Sequence, residues 1–232
     1  MQACWYGNDY GDSDYIHTPL PGGQSDSEDS SDVSNTGMHM WFASDATTFQ
    51  QYGWRFGDTE WLYQETWTGK NGHAGVGCYS WADDSSTTYA MFVNTENTVE
   101  VWWKDTNLNH TNSTSHPLNA WTNSSIAIPG ANPATSLGFT NYFYWQDGAT
   151  NMIQGHNISF ASENTSFVGE AFVVDGVPGI SGTHLSVSAL PDAGGGNTLT
   201  VFFQTEGSDV TEFTRDWIAG QWTSTKIPIQ DA

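Results

Sequence analysis

The sequence predicts an all-β fold, a β-propeller of four antiparallel four-stranded blades with a fifth as the alternative count. Three observations predict it. Aromatic residues make up 14% of the chain and charged residues only 13%, with 24 glycines, a balance that suits a turn-rich β protein better than a helical bundle or a disordered chain. Apolar and polar residues alternate through most of the chain, and no window of helical length carries an apolar face at helical spacing. Finally, segments of one shape recur about every 50 residues, the interval of a propeller blade: MWFASDATTFQQYGW (Met40 to Trp54), MFVNTENTVEVWW (Met91 to Trp103), FYWQDGATNMIQGH (Phe143 to His156) and VFFQTEGSDVTEF (Val201 to Phe213).

Each segment reads as a strand, a tight polar turn and a second strand, which is a hairpin. With the hairpins aligned on their aromatic residues, Phe42 stands eight residues before Gln50 and Phe92 eight before Glu100, while Trp145 stands nine before Gln154 and Phe203 nine before Glu212, so the last two turns are expected to carry one extra residue. A further strand precedes three of them: VGCYSW (Val76 to Trp81), TSLGFT (Thr135 to Thr140) and HLSVSAL (His184 to Leu190). ACWYG (Ala3 to Gly7) supplies the innermost strand of the first blade. An outer strand follows each hairpin. Trp121 and Thr122 lead to Ile126 and Ile128, Trp222 and Thr223 lead to Ile227 and Ile229, and Trp61 opens a looser version. The third unit lacks the Trp and offers Phe167 to Val174. A β-sandwich could hold as many strands but would not need the same turn and Trp signature at a fixed interval.

The 232 residues are read as one domain interrupted by an acidic loop at about 8–37, which is almost free of apolar residues and is expected to be mobile. Asp9, Asp12 and Asp14 within it match no calcium-loop spacing and read as solvated. A net charge of -21 repels phosphate backbones and anionic lipid, which argues against nucleic-acid and membrane partners. No run is long and apolar enough for a membrane span, and no signal peptide precedes MQACWYG. Sequons at Asn109, Asn112, Asn123, Asn157 and Asn164 are compatible with secretion. Cys4 and Cys78 are the only cysteines; one bridge between them is the favoured reading and two buried thiols the other. The seven histidines, His17, His39, His73, His110, His116, His156 and His184, show no ligand spacing, so neither a metal site nor any other cofactor is expected.

The hairpin YFYWQDGATNMIQ followed by a strand of the QWTSTKIPI type resembles the repeat of the fungal fucose-specific lectin family, loosely, over four units from about Met38 to Ile229. The resemblance implies a β-propeller with sugar pockets between blades, each built from an Arg on the second strand, a Glu on the third and an aromatic from the neighbouring blade. The Glu position falls on Gln50, Glu100, Gln154 and Glu212. The Arg position falls near Met40, Ala90, Tyr142 and Thr200, none of them basic, while the only arginines, Arg55 and Arg215, follow the third-strand polar residue. Fucose specificity therefore does not carry over.

The expected function is a secreted, non-catalytic, carbohydrate-binding lectin whose partners are glycans or glycoproteins. Sugars stack on Trp or Tyr faces while planar polar side chains fix their hydroxyls. Glu100, Glu212, Gln50 and Gln154 supply hydrogen bonds in this reading, and Trp121, Trp222 and Trp61 supply stacking faces. Each Trp could instead plug the gap between blades. One alternative is a secreted interaction protein that keeps the propeller without sugar sites. A less favoured one is a glycan-active hydrolase or lyase, for which no carboxylate pair can be named.

Overall fold

A computed structural model describes residues 2–6, 37–55, 59–80, 87–140, 142–191, 197–207, 209–216 and 220–228. The acidic loop falls outside them. Sixteen strands form four antiparallel sheets, each with its strands side by side in chain order. Blade I comprises β1 (Gln2–Tyr6), β2 (Gly37–Asp45), β3 (Thr48–Arg55) and β4 (Leu62–Thr68). Blade II comprises β5 (Gly77–Ser80), β6 (Thr87–Val93), β7 (Val99–Asp105) and β8 (Thr122–Ile128). Blade III comprises β9 (Gly138–Phe139), β10 (Phe143–Gln146), β11 (Met152–Ser159) and β12 (Ser166–Pro178). Blade IV comprises β13 (Ser186–Pro191), β14 (Asn197–Glu206), β15 (Asp209–Asp216) and β16 (Thr223–Pro228). The sheets are arranged as a β-propeller, with the innermost strands β1, β5, β9 and β13 in successive contact. Among the described residues the helical content is one 3₁₀ turn, Ser162–Asn164.

The hairpin turns are set by short polar side chains that bond the backbone two to four residues on. Asn94 Oδ1 accepts from the amides of Glu96 and Thr98 at 2.9 and 3.0 Å, letting Asn97 take a positive φ of 60°. Asp147 does the same for Thr150 at 2.8 Å, and Asp45 for Thr47 at 2.8 Å. A second repeated element joins the blades: Gly69-Lys70-Asn71, Gly130-Ala131-Asn132 and Gly179-Ile180-Ser181 each tie the end of one blade to the hairpin of the next. Lys70 bridges Asn94, Ala131 bridges Asp147, and the Ile180 amide donates to the Gln204 carbonyl at 2.8 Å. Gly69 and Gly130 stand at φ of 71° and 76°, a conformation that suits glycine.

Alternation along each strand sends side chains into both neighbouring crevices, and these crevices are the core. Between blades I and II pack Trp41, Phe49, Trp67 and Phe92. Between II and III pack Met91, Val101, Trp103, Phe143 and Trp145. Between III and IV pack Tyr144, Ile153, Val201, Phe203 and Phe213.

The register matches the sequence reading in three blades and departs from it in the fourth. Phe42 pairs with Gln50, Phe92 with Glu100 and Trp145 with Gln154. In blade IV, Phe203 pairs with Thr211, and Glu212 pairs with Phe202. The blade IV turn carries no extra residue. A one-residue slip turns every side chain to the opposite face, so Glu212 leaves the crevice that Phe213 enters.

β1 lies beside β5, which puts Cys4 and Cys78 on neighbouring innermost strands, and the described residues include no free cysteine. The Cys4 side chain lies outside the described residues.

Candidate functional site

Of the expected binding residues, Glu100 and Trp121 share the crevice between blades I and II, Trp222 lies in that between III and IV, and Gln50, Trp61, Gln154 and Glu212 lie outside both. Glu100 lies in the crevice between blades I and II, where its carboxylate accepts from Lys70 Nζ, from Asn94 Nδ2 at 2.9 Å and from Trp102 Nε1 at 3.0 Å. Lys70 Nζ also sits 4.5 Å from the centroid of the Trp102 ring. Burial alone would raise the Glu100 pKa, but the bonds from Lys70, Asn94 and Trp102 outweigh it and hold the carboxyl below the usual carboxylate range. Trp121, at the mouth of β8, packs edge-on against Trp41, Trp67 and His39 at 6.2, 5.3 and 6.3 Å. Behind it, Trp67 Nε1 donates to Gln51 Oε1 at 2.9 Å, and Gln51 Nε2 lies 3.1 Å from His39 Nδ1. Cation, carboxylate and indoles all meet here, but Glu100 spends its hydrogen bonds within the protein. The Lys70 and Glu100 side chains are only 8% and 16% exposed.

Gln50 and Trp61 belong to blade I. Gln50 accepts from Thr66 Oγ1 at 3.1 Å on the face it shares with Phe42 and Tyr52, the face turned away from blade II. Trp61 is half-buried just before β4. Gln154 is half-buried on β11, opposite Trp145.

The crevice between blades III and IV has a different character. Arg215 on β15 packs against a pair of touching rings, its guanidinium carbon 4.4 Å from the Phe172 centroid and 4.7 Å from that of Trp222, with the two centroids 6.2 Å apart. Such contacts hold a planar guanidinium through cation–π attraction and leave its N–H edge for hydrogen bonding. Tyr142 meets Phe172 edge-on at 5.0 Å, and Tyr144 does so at 6.1 Å. Gly155 makes room for Phe172: a Cβ there would stand 2.3 Å from the ring's Cζ. Arg215 Nε is buried at this crevice without a partner among the described residues, and the buried Thr140 Oγ1 and Tyr144 Oη beside it have at most each other. Buried polar atoms normally find partners, and an orphan in an aromatic crevice marks a place where a polar ligand or water is wanted. Burial pushes the Tyr144 phenol up to about 12, against the opposing pull of Thr140 and of the Arg215 charge.

Solved structures similar to this chain in fold include lectins. SapL1 lectin, solved in complex with α-methyl fucoside, superposes with a TM-score of 0.57 at 18% identity, over 85% of this chain and 62% of that one. AofleA from Arthrobotrys oligospora gives 0.60 at 12% identity, over 84% and 54%. Aleuria aurantia lectin, a fungal lectin described as a six-bladed β-propeller with a novel mode of fucose recognition, gives 0.53 at 13%, over 84% and 58%. What the chain shares with these lectins is the fold. It spans between 54% and 62% of their length, and its described residues form four blades. No family model matches the chain, and no curated protein matches it.

Arg215 with the rings of Phe172 and Trp222 is what sequence reasoning does not assemble. The arginine was visible, but Phe172 comes from the preceding blade, and Glu212 was placed on the wrong face by the slipped register. Lys70 was missed for a related reason. It reaches Glu100 from 30 residues upstream, across the boundary between blades.

Proposed function

We propose that the protein is a non-catalytic, carbohydrate-binding propeller lectin, and that its working crevice lies between blades III and IV around Arg215. The observation that carries this reading is the guanidinium packed against Phe172 and Trp222, with Arg215 Nε buried and unpartnered among the described residues. Sugar hydroxyls supply a partner for Arg215 Nε and further partners for Tyr144 Oη and Thr140 Oγ1, and the half-buried Trp222 offers an apolar face to the ring carbons. The crevice keeps the Trp expected from the sequence and replaces the expected Glu212 by Arg215. The partners are glycans or glycoproteins. Fucose bound in the manner of the lectin family is not expected, because this Arg stands at the end of the third strand and, among the described residues, no carboxylate is ion-paired with it as Glu100 is with Lys70. Secretion, with a Cys4–Cys78 bridge and glycans on exposed sequons such as Asn109, Asn112, Asn123 and Asn164, completes the reading.

A glycan array with the purified protein, followed by calorimetry on the best glycan, tests it. Arg215→Ala and Trp222→Ala should each weaken binding by about 1–3 kcal/mol, with Glu212→Ala unchanged. Equal affinity in all three variants removes the III/IV crevice from consideration. An array without signal favours the non-sugar interaction protein, and product formed from a bound glycan favours an enzyme.

A further inference from the structure

We propose that Asp105, His110 and His116 form a binding site for a divalent transition metal, with Zn²⁺ as the ion their chemistry fits best. Asp105 ends β7 with its side chain fully buried, and the two histidines lie on the connection from β7 to β8. The chain folds back there: Asp105 pairs with Leu118, and the Asn119 amide donates to the Asp105 carbonyl at 2.7 Å. One carboxylate oxygen is committed, since Oδ1 accepts the Asn107 amide at 2.7 Å. The other is presented to both rings, with Oδ2 at 2.5 Å from His110 Nδ1 and 2.7 Å from His116 Nε2. Three ligand atoms thus lie within 4.8 Å of one another.

The environment of His116 points to a cation. Its Nε2 faces Asp105, and its Nδ1 lies 2.7 Å from Glu163 Oε2 on blade III. A neutral imidazole has one N–H and can satisfy only one of the two carboxylates, so a second proton or a metal ion must sit at the other nitrogen. With Glu163 taking the Nδ1 proton, Nε2 is left with its lone pair aimed at the Asp105 oxygen. That is the carboxylate–histidine–metal relay found around zinc ligands, in which the outer carboxylate fixes tautomer and ring orientation. Two imidazoles and a carboxylate leave the fourth tetrahedral position to solvent, which reaches the site beside the exposed His110. Metal–ligand bonds of roughly 2.0–2.1 Å place tetrahedral ligand atoms about 3.3 Å apart, so admitting the ion requires each histidine nitrogen to withdraw from Oδ2 by less than about 1 Å. Side-chain rotation supplies that. Magnesium and calcium, which take oxygen ligands, suit this donor set poorly. The bound ion would staple the 106–121 connection to β7 and, through Glu163, to blade III.

The test uses tag-free full-length protein stripped with chelator and titrated with zinc chloride in a calorimeter, with calcium and magnesium as controls. The expected result is one zinc per chain at micromolar affinity or better, and a melting temperature raised by roughly 5 °C or more at a hundredfold excess over Kd. Glu163→Gln should weaken zinc binding by roughly 10- to 100-fold. His110→Ala should weaken it at least tenfold and should lose the zinc-dependent rise in melting temperature measured against its own metal-free form. Zinc uptake that persists in the His110→Ala/His116→Ala double variant would place the ion elsewhere and overturn the proposal, as would the absence of any zinc binding to the wild type at tens of micromolar.

Discussion

Replacing Lys70 by alanine should lower the stability of the protein by about 3 kcal/mol. Lys70 and Glu100 are ion-paired with side-chain exposures of 8% and 16%, so the pair lies well inside the crevice between blades I and II. Lys70→Ala removes a charge-assisted hydrogen bond, about 1.5–3 kcal/mol, and the cation–π contact with Trp102, about 0.5–2 kcal/mol. It also leaves the Glu100 carboxylate with only the neutral donors Asn94 and Trp102. The total of about 3 kcal/mol matches the lower end of what breaking a buried pair costs. Alanine does not disturb the backbone, because Ala131 already occupies the same place in the next connector and makes the same kind of bridge. Urea unfolding should therefore show an unchanged m-value and a lower midpoint, and the melting temperature should fall by about 6–12 °C. Lys70→Met/Glu100→Gln removes both charges and should recover part of the loss, because no unpaired carboxylate remains. A loss below about 1 kcal/mol in Lys70→Ala would mean that the pair behaves like an exposed surface ion pair, and the account of a buried I/II pair would fail.

The same carboxylate gives a pH prediction: its folded pKa is lowered, so its contribution is fully present above the unfolded value near about 4.3 and is lost as pH falls through the lower folded value. The stability deficit of Glu100→Gln should be constant near neutrality and shrink towards about pH 3 in acid titrations followed by tryptophan fluorescence. Gly155→Ala forces a methyl into the Phe172 ring and should destabilise the protein by about 1–3 kcal/mol, with glycan affinity falling as Phe172 leaves Arg215. Cys4 and Cys78 should resist alkylation until the protein is reduced, and two alkylated thiols in the native protein by intact mass would exclude the bridge.

How much of this was legible in the sequence depends on where the partners of a residue lie. The hairpins could be read because everything that makes them is local: alternating strands around a turn that Asp45, Asn94 or Asp147 closes through its own side chain. The blade IV turn differs because it has Thr205 where blades II and III have Asn94 and Asp147. In the structure the Thr205 hydroxyl instead meets the Thr211 hydroxyl at 3.0 Å. With no Asx residue to fix the turn, Thr211 and Glu212 were equally good partners for Phe203, and choosing the acid turned the strand over. The connectors Gly69-Lys70-Asn71 and Gly130-Ala131-Asn132 escaped notice because only the glycine and the asparagine recur, and the residue between them varies with what its own crevice needs. The same distinction explains why the site was harder to find than the fold. A blade is held by neighbours in sequence, but a crevice is built by two blades, so Lys70 meets Glu100, Phe172 meets Arg215 and Glu163 meets His116 only after the blades have packed. Spacing within one repeat can nominate half of such a site, as it did for Trp222 and Glu100. The other half is fixed by which face each strand turns to its neighbour, and a single residue of turn length decides that.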